Sequence, residues 1–145
     1  MDFFTAMNVS SVGLSAQRTR INVASSILAN VETTRTPEGG PYRRRQVMLA
    51  AVPFSQTFQQ IKEADLHQQT HSVEVVSIEA DGTEPRLVYK PDHPDARKDG
   101  YVAMPNINPI SEMVDLLSTS RSYEANVSAM RASKAMALEA LKIGQ

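Results

Sequence analysis

A chain of 145 residues with 41% hydrophobic content can bury the core of one domain, with room for a small insertion. Its aromatic content is 6%, Trp is absent, and much of its apolar surface is Ala and Met, which suits close helix packing better than a bulky core. A formal net charge of −1 gives no reason to expect a nucleic-acid or membrane-surface binder, and the absence of Cys excludes disulfides and cysteine catalysis. No apolar run approaches the roughly 18 residues of a membrane span. The start, Met1-Asp2-Phe3-Phe4, lacks the positive charge and apolar stretch of a cleaved signal peptide, so any export is expected to take another route. A Cys-free chain also suits an oxidising compartment in which no staple is needed.

Residues 3 to about 32 read as a first long helix. Met7, Leu14, Ile21 and Leu28 recur every seven residues, with Ser10, Gln17, Ala24 and Val31 in the alternate position, so the seam is half polar. Val9, Val12, Ala16, Val23 and Ile27 form a second line, offset by about 200° from two positions of helical rotation. Gly13 costs about 1 kcal/mol relative to Ala in a helix interior. Thr33, Thr34, Thr36-Pro37 and Gly39-Gly40-Pro41 then predict a helix exit and a turn.

Between 42 and 105 the pattern becomes that of short strands. Val47–Val52 can be one, ended by Pro53, and Phe54–His67 is ambiguous between helix and coil. Val73, Val75, Val76 and Ile78 favour another, closed by a turn at Asp81-Gly82. Arg86–Lys90 and Gly100–Met104 predict two more, separated by a stiff loop from Pro91 to Pro94.

The last third is a second long helix. Asn108 can cap it, and Pro109 is tolerated in its first turn because it lacks only an N–H that would be orphaned there. Neither Pro nor Gly follows until Gly144, the expected stop. Met113, Leu116, Ser120, Tyr123, Val127, Met130, Lys134, Ala137 and Leu141 alternate at spacings of three and four, a heptad seam interrupted by Ser120 and Lys134. Ala125, Ala129, Ala132, Met136, Ala140 and Ile143 form a second line nearly opposite. A helix that is apolar on two sides wants partners on two sides, one in its own chain and one in another subunit.

These elements predict an α+β fold in which long N- and C-terminal helices pair as a coiled-coil-like unit around a small β-rich insertion. The expected organisation is a terminal helical assembly domain, 1–36 with 106–145, and a small β-rich central domain, 37–105. The residues alone describe a self-assembling helical protein.

Particular runs go further. Leu14–Ala24, Leu28-Ala29-Asn30 and Glu32–Arg44 resemble the axial rod and hook proteins of the bacterial flagellum. The Leu-Ala-Asn run is shared across that family, whereas Thr36-Pro37-Glu38-Gly39-Gly40-Pro41-Tyr42 resembles the proximal-rod members. So do Leu87–Tyr89, His93–Ala96, Gly100–Asn106, Glu112–Leu117 and Ser120–Asn126, so the resemblance covers nearly the whole chain. One departure is Ile27, where the family usually has Asn. The resemblance implies a non-enzymatic structural subunit of the periplasmic rod, exported by the flagellar type III apparatus without a cleaved signal. Its implied partners are other copies of itself, other rod proteins, adjoining basal-body components and the export apparatus, with no nucleic acid and no stable membrane insertion. The helices would form a hollow shaft that transmits torque and encloses the export channel. The candidate assembly residues are Leu14, Ile21, Leu28, Asn30, Met113, Leu116, Arg121, Tyr123, Glu124, Asn126, Val127, Met130 and Leu141.

The competing reading is a small metal-binding or catalytic module. His67 and His71 stand at i, i+4, but residue 68 is Gln, so the His-Glu-x-x-His pattern of a metalloprotease is missing. Asp92, His93, Asp95 and Asp99 crowd one loop at spacings that do not match an EF-hand. Arg43-Arg44-Arg45 lacks interleaved aromatics, and consecutive strand residues point to alternate faces, which favours a solvated strand edge over a nucleic-acid patch; the family resemblance implies instead that they meet an acidic neighbour. Arg121 and Glu124 can form a weak i, i+3 pair on the helix surface, or serve with Asn126 as polar contacts between subunits. No motif argues for an active site, a metal or a cofactor.

Overall fold

A computed structural model describes residues 3–53 and 71–143, with side chains described for 5–53 and 71–142. The element order is α1 (Phe3–Ala29), β1 (Arg45–Pro53), β2 (His71–Ala80), β3 (Arg86–Tyr89), β4 (Tyr101–Met104) and α2 (Pro109–Ile143). The architecture is α+β, two long helices with small antiparallel sheets between them. The ambiguous segment Phe54–His67 and the expected stop at Gly144 lie outside the described residues.

α2 begins where the cap predicts. The Asn108 side-chain Oδ1 accepts from the N–H of Ile110 at 3.1 Å and of Ser111 at 3.5 Å, and its backbone carbonyl accepts from the Glu112 N–H at 3.1 Å. Asn108→Ala is expected to lower stability by about 1 kcal/mol, read as a fall in the denaturation midpoint. α1 ends a few residues earlier than its pattern implies. The backbone tightens there to bonds three residues back, Val31 N–H to the Leu28 carbonyl at 3.4 Å and Thr33 N–H to the Asn30 carbonyl at 3.1 Å. The Asn30 Nδ2 donates to the Ser26 carbonyl at 2.9 Å, and its Oδ1 accepts from the Thr33 hydroxyl at 3.1 Å. The loop that follows is closed by Thr36 N–H to the Gly40 carbonyl at 2.9 Å, with Gly39 and Gly40 both at positive φ.

β1 and β2 form an antiparallel ribbon from Arg45↔Ala80 to Pro53↔His71, with a bulge opposite Met48/Leu49 that leaves Val76 unpaired. Val47, Leu49 and Ala51 share one face with Ile78, Val75 and Val73. The other carries Met48, Ala50 and Val52 with Ser77, Glu74 and the buried Ser72. β3 and β4 pair in a second antiparallel sheet, Arg86↔Met104 to Tyr89↔Tyr101. The rings of Tyr89 and Tyr101 meet edge to face at 5.3 Å. A Cβ on Gly100, at φ +78, would lie 2.7 Å from the Tyr89 ring, so only Gly fits that turn.

The buried apolar residues are Ala16, Ala24, Ile27, Val102, Met104 and Ile107. α1 packs against α2 and also against both strands of the ribbon. The second partner expected for α1 is therefore supplied at least in part by its own chain. Among the described elements α2 has contact of that kind only with α1, and Ile110, Met113, Val114 and Leu117 on its far side are exposed.

Candidate assembly interface

The two helices run antiparallel. The Tyr42 N–H donates to the Thr33 carbonyl at 3.0 Å, just past the end of α1, and Arg44 reaches Glu112 in the first turn of α2. The end of α1 therefore lies beside the start of α2. Further along, Gly13 faces Asn126, whose Nδ2 would be 3.5 Å from a Cβ at residue 13. That is an ordinary contact distance, so Ala fits. Gly13→Ala is expected to stabilise the monomer by up to about 1 kcal/mol, read as a raised melting temperature, because it removes the entropic cost of a helical Gly.

The least exposed line on α2 runs Glu112, Leu116, Thr119, Tyr123, Asn126, Met130, Ser133 and Ala137. Leu116, Tyr123, Met130 and Ala137 belong to the seam expected from the sequence. In the alternate positions burial favours Glu112, Thr119 and Ser133 over Met113, Ser120 and Lys134, while Asn126 and Val127 are both half-buried. The cause is on α1, which offers small residues such as Gly13, Ala16 and Ala24 to the packed region. A close helix approach accepts Thr, Asn and Ser and leaves a Met or Lys outside. Glu112 is drawn inward by a cation. Its Oε1 lies 2.6 Å from the Arg44 Nε, with the side chains 6% and 29% exposed respectively. The Arg44 guanidinium is pushed further above its ordinary pKa, first by the hydrogen bond to Glu112, with burial opposing and the charges of Glu112, Asp81 and Asp115 adding.

The rotation of the seam has a consequence on the opposite side. Ile110, Met113, Val114 and Leu117 are 71%, 53%, 59% and 61% exposed. Their spacing of i, i+3, i+4, i+7 is that of one helix face, so they form a contiguous apolar strip. Beside it runs a shallow groove lined by Val114, Leu117, Ser118, Arg121, Ser122 and Ala125. Ile110, Val114 and Leu117 were outside the expected seam, although the same spacing rule applied to them identifies the strip.

The candidate residues thus divide. Leu116, Tyr123, Asn126, Val127 and Met130 are half-buried on α2, with Asn126 facing Gly13 of α1. Leu14, Ile21 and Leu28 are half-buried on α1, and Asn30 is engaged in the turn that ends it. Met113, Arg121, Glu124 and Leu141 are exposed. Among the described residues the ion pairs are Arg44–Glu112 and Lys142–Glu139, so Arg121 and Glu124 do not pair with each other. Of the basic run, Arg44 meets an acidic neighbour while Arg43 and Arg45 point to solvent.

The alternative metal sites find no support in this geometry. His67 lies outside the described residues, and His71 is exposed at the first position of β2. Two of the three loop carboxylates, Asp95 and Asp99, are engaged in hydrogen bonds within the chain. Asp95 accepts from the Thr34 hydroxyl at 2.7 Å, its N–H donates to His93 Nδ1 at 3.1 Å, and Asp99 accepts from the Tyr101 N–H at 3.2 Å. Among the described residues no group of three or more His, Cys, Asp or Glu comes together to hold a metal ion. No described helix is long and apolar enough to cross a membrane.

Paired terminal helices with an open apolar strip, carrying a small β insertion, define an assembly subunit, and residues 98–143 match the family described as "Flagellar basal body rod FlgEFG protein C-terminal". The chain is 44% identical to the flagellar basal-body rod protein FlgC of Bacillus subtilis, over the whole of both chains. It is 44% identical to the FlgC of Borreliella burgdorferi, over all of this chain and 99% of the relative. Identity to the FlgC of Salmonella typhimurium is 37%, again over the whole of both. The chain belongs to the FlgC family of flagellar basal-body rod proteins.

Proposed function

We propose that this chain is a structural subunit of the proximal rod of the flagellar basal body, and that it assembles with its own copies and other rod proteins into a hollow helical shaft. The observation that carries this reading is the apolar strip Ile110–Met113–Val114–Leu117, left open on a helix whose other side is already occupied. Exposed contiguous apolar surface of this kind marks an interaction site. A strip on one helix that meets a different surface on the next subunit gives a heterologous contact, and a rotation that does not close builds a helix of subunits. In this reading residues 1–36 and 106–145 form the assembly domain and 37–105 the small β-rich central domain. The shaft transmits torque and encloses the export channel. The subunit reaches the periplasm through the flagellar type III apparatus without a cleaved signal. Its work is mechanical, and it draws on burial of apolar surface at about 25 cal/mol per Å².

The test is sedimentation of the purified chain mixed with other rod proteins, beside a Leu117→Asp variant. Wild type is expected in large assemblies and the variant in a small, folded form. Equal behaviour of the two, whether assembled or not, would remove the strip from the assembly surface.

A further inference from the structure

The β1–β2 ribbon lies against α1, but apolar contact is non-directional and by itself leaves a two-stranded ribbon free to slide or tilt. Among the described residues, Arg44–Glu112 is the hydrogen bond or ion pair that joins the ribbon and its base, 44–53 with 71–81, to either helix. Arg44 is placed to fix several elements at once. Its carbonyl accepts from the Asp81 N–H at 2.7 Å, which closes the base of the ribbon where β1 begins and β2 has ended. Its side chain reaches Glu112, whose own N–H is held by the Asn108 carbonyl in the cap turn of α2. The carboxylate it meets is buried, so water competes poorly for it, and a charge-assisted bond in that setting is both stronger and more demanding of angle than a surface pair.

We infer that Arg44 is a positioning residue: through Glu112 it pins the β1–β2 ribbon to the first turn of α2, so that the orientation of the insertion and the start of the open apolar strip are set together. The pin belongs to the isolated subunit and does not depend on what the subunit assembles with. It also accounts for the seam shift on α2. Holding Glu112 inward turns Met113 and Val114 outward by helical geometry, because they follow it at about 100° per residue.

The test uses the full chain as a monomer. Because it has no Cys, Ser11→Cys on the exposed side of α1 and Val76→Cys on the ribbon bulge give a unique pair of spin-label sites. The parent is expected to show one narrow distance distribution. Arg44→Met is expected to broaden it and to speed amide exchange across 45–53 and 71–80 about tenfold or more, with exchange in the middle of α2 unchanged. Arg44→Lys, which keeps the charge without the fork, should restore much of the narrow distribution. If Arg44→Met fails to fold by circular dichroism, Glu112→Gln in the same assay decides. A narrow distribution unchanged by removal of the pair overturns the inference. So does exchange that rises equally everywhere, which would mean a general stabilising role.

Discussion

Leu117→Asp is expected to leave the monomer folded, with stability changed by no more than about 0.5–1 kcal/mol, and to weaken assembly at least a hundredfold. The leucine is 61% exposed on the side of α2 away from α1, so the isolated chain loses little packing. The remaining cost in the monomer is the lower helix propensity of Asp, a few tenths of a kcal/mol. In an assembly that buries the strip, the substitution removes about 1.5–3 kcal/mol of apolar burial. It also places a carboxylate without a partner in a dry contact, which costs about a further 1–3 kcal/mol or more. At about 1.4 kcal/mol per tenfold, even the lower sum exceeds a factor of fifty per contact, and each subunit of a helical array makes more than one. Leu117→Ala, with no charge to bury, should lose about tenfold. Sedimentation velocity with rod proteins reads the assembly, and a circular dichroism melt on the same sample reads the fold. A variant that melts like the parent yet assembles normally would show that the strip faces solvent in the rod.

The second large effect is expected inside the monomer. Ile27→Ala should lower unfolding free energy by about 2–5 kcal/mol, the range for truncating a buried branched side chain. Ile27 is 2% exposed near the end of α1, in the region where that helix meets the start of α2. The other buried apolar residues of the helical pair, Ala16 and Ala24, are small and offer little to compensate. In a domain whose total stability is of the order of 5–15 kcal/mol, this is a major fraction. Urea denaturation should show a lower midpoint with little change in slope. A loss below about 1 kcal/mol would mean that the region collapses around the cavity or that the residue contributes little to the packed junction. The same position is the departure from the family pattern noted in the sequence. Where an Asn would need a partner for its amide, this chain places a residue whose burial needs none.

Both effects rest on features of unequal legibility. The two long helices, the Asn108 cap and the four described strands follow from local rules: apolar spacing, Pro and Gly punctuation, and β-branched residues bounded by turn signals. These rules act within a few residues, so a sequence displays them directly. β1 and β2 run one or two residues past their patterns at each end, since ladder pairing extends order past the β-branched segments, whereas β3 stops at Tyr89 and β4 starts at Tyr101, each one residue inside its pattern. α1 ends before its pattern does because the backbone tightens to three-residue bonds at Val31 and Thr33, with the Asn30 and Thr33 side chains bonded to each other across the turn, a choice that periodicity does not register.

What the sequence by itself determined is the set of elements, their approximate limits, the two-sided apolar character of α2 and, through the Leu-Ala-Asn run and the Gly39-Gly40 loop, the family. Only the tertiary structure decided which side of α2 turns inward. Two heptad lines that share Leu116, Tyr123, Met130 and Ala137 differ by one residue in their alternate positions, and the apolar count favours the line with Met113 and Val127. In the first half of α2 the packed positions are the polar ones, Glu112 and Thr119, because α1 presents Gly and Ala and because Arg44, a residue 68 positions away in the chain, draws Glu112 into the contact. A long-range ion pair and the shape of the opposite helix settle a rotation that local hydrophobicity leaves open, and that rotation is what leaves the apolar strip exposed.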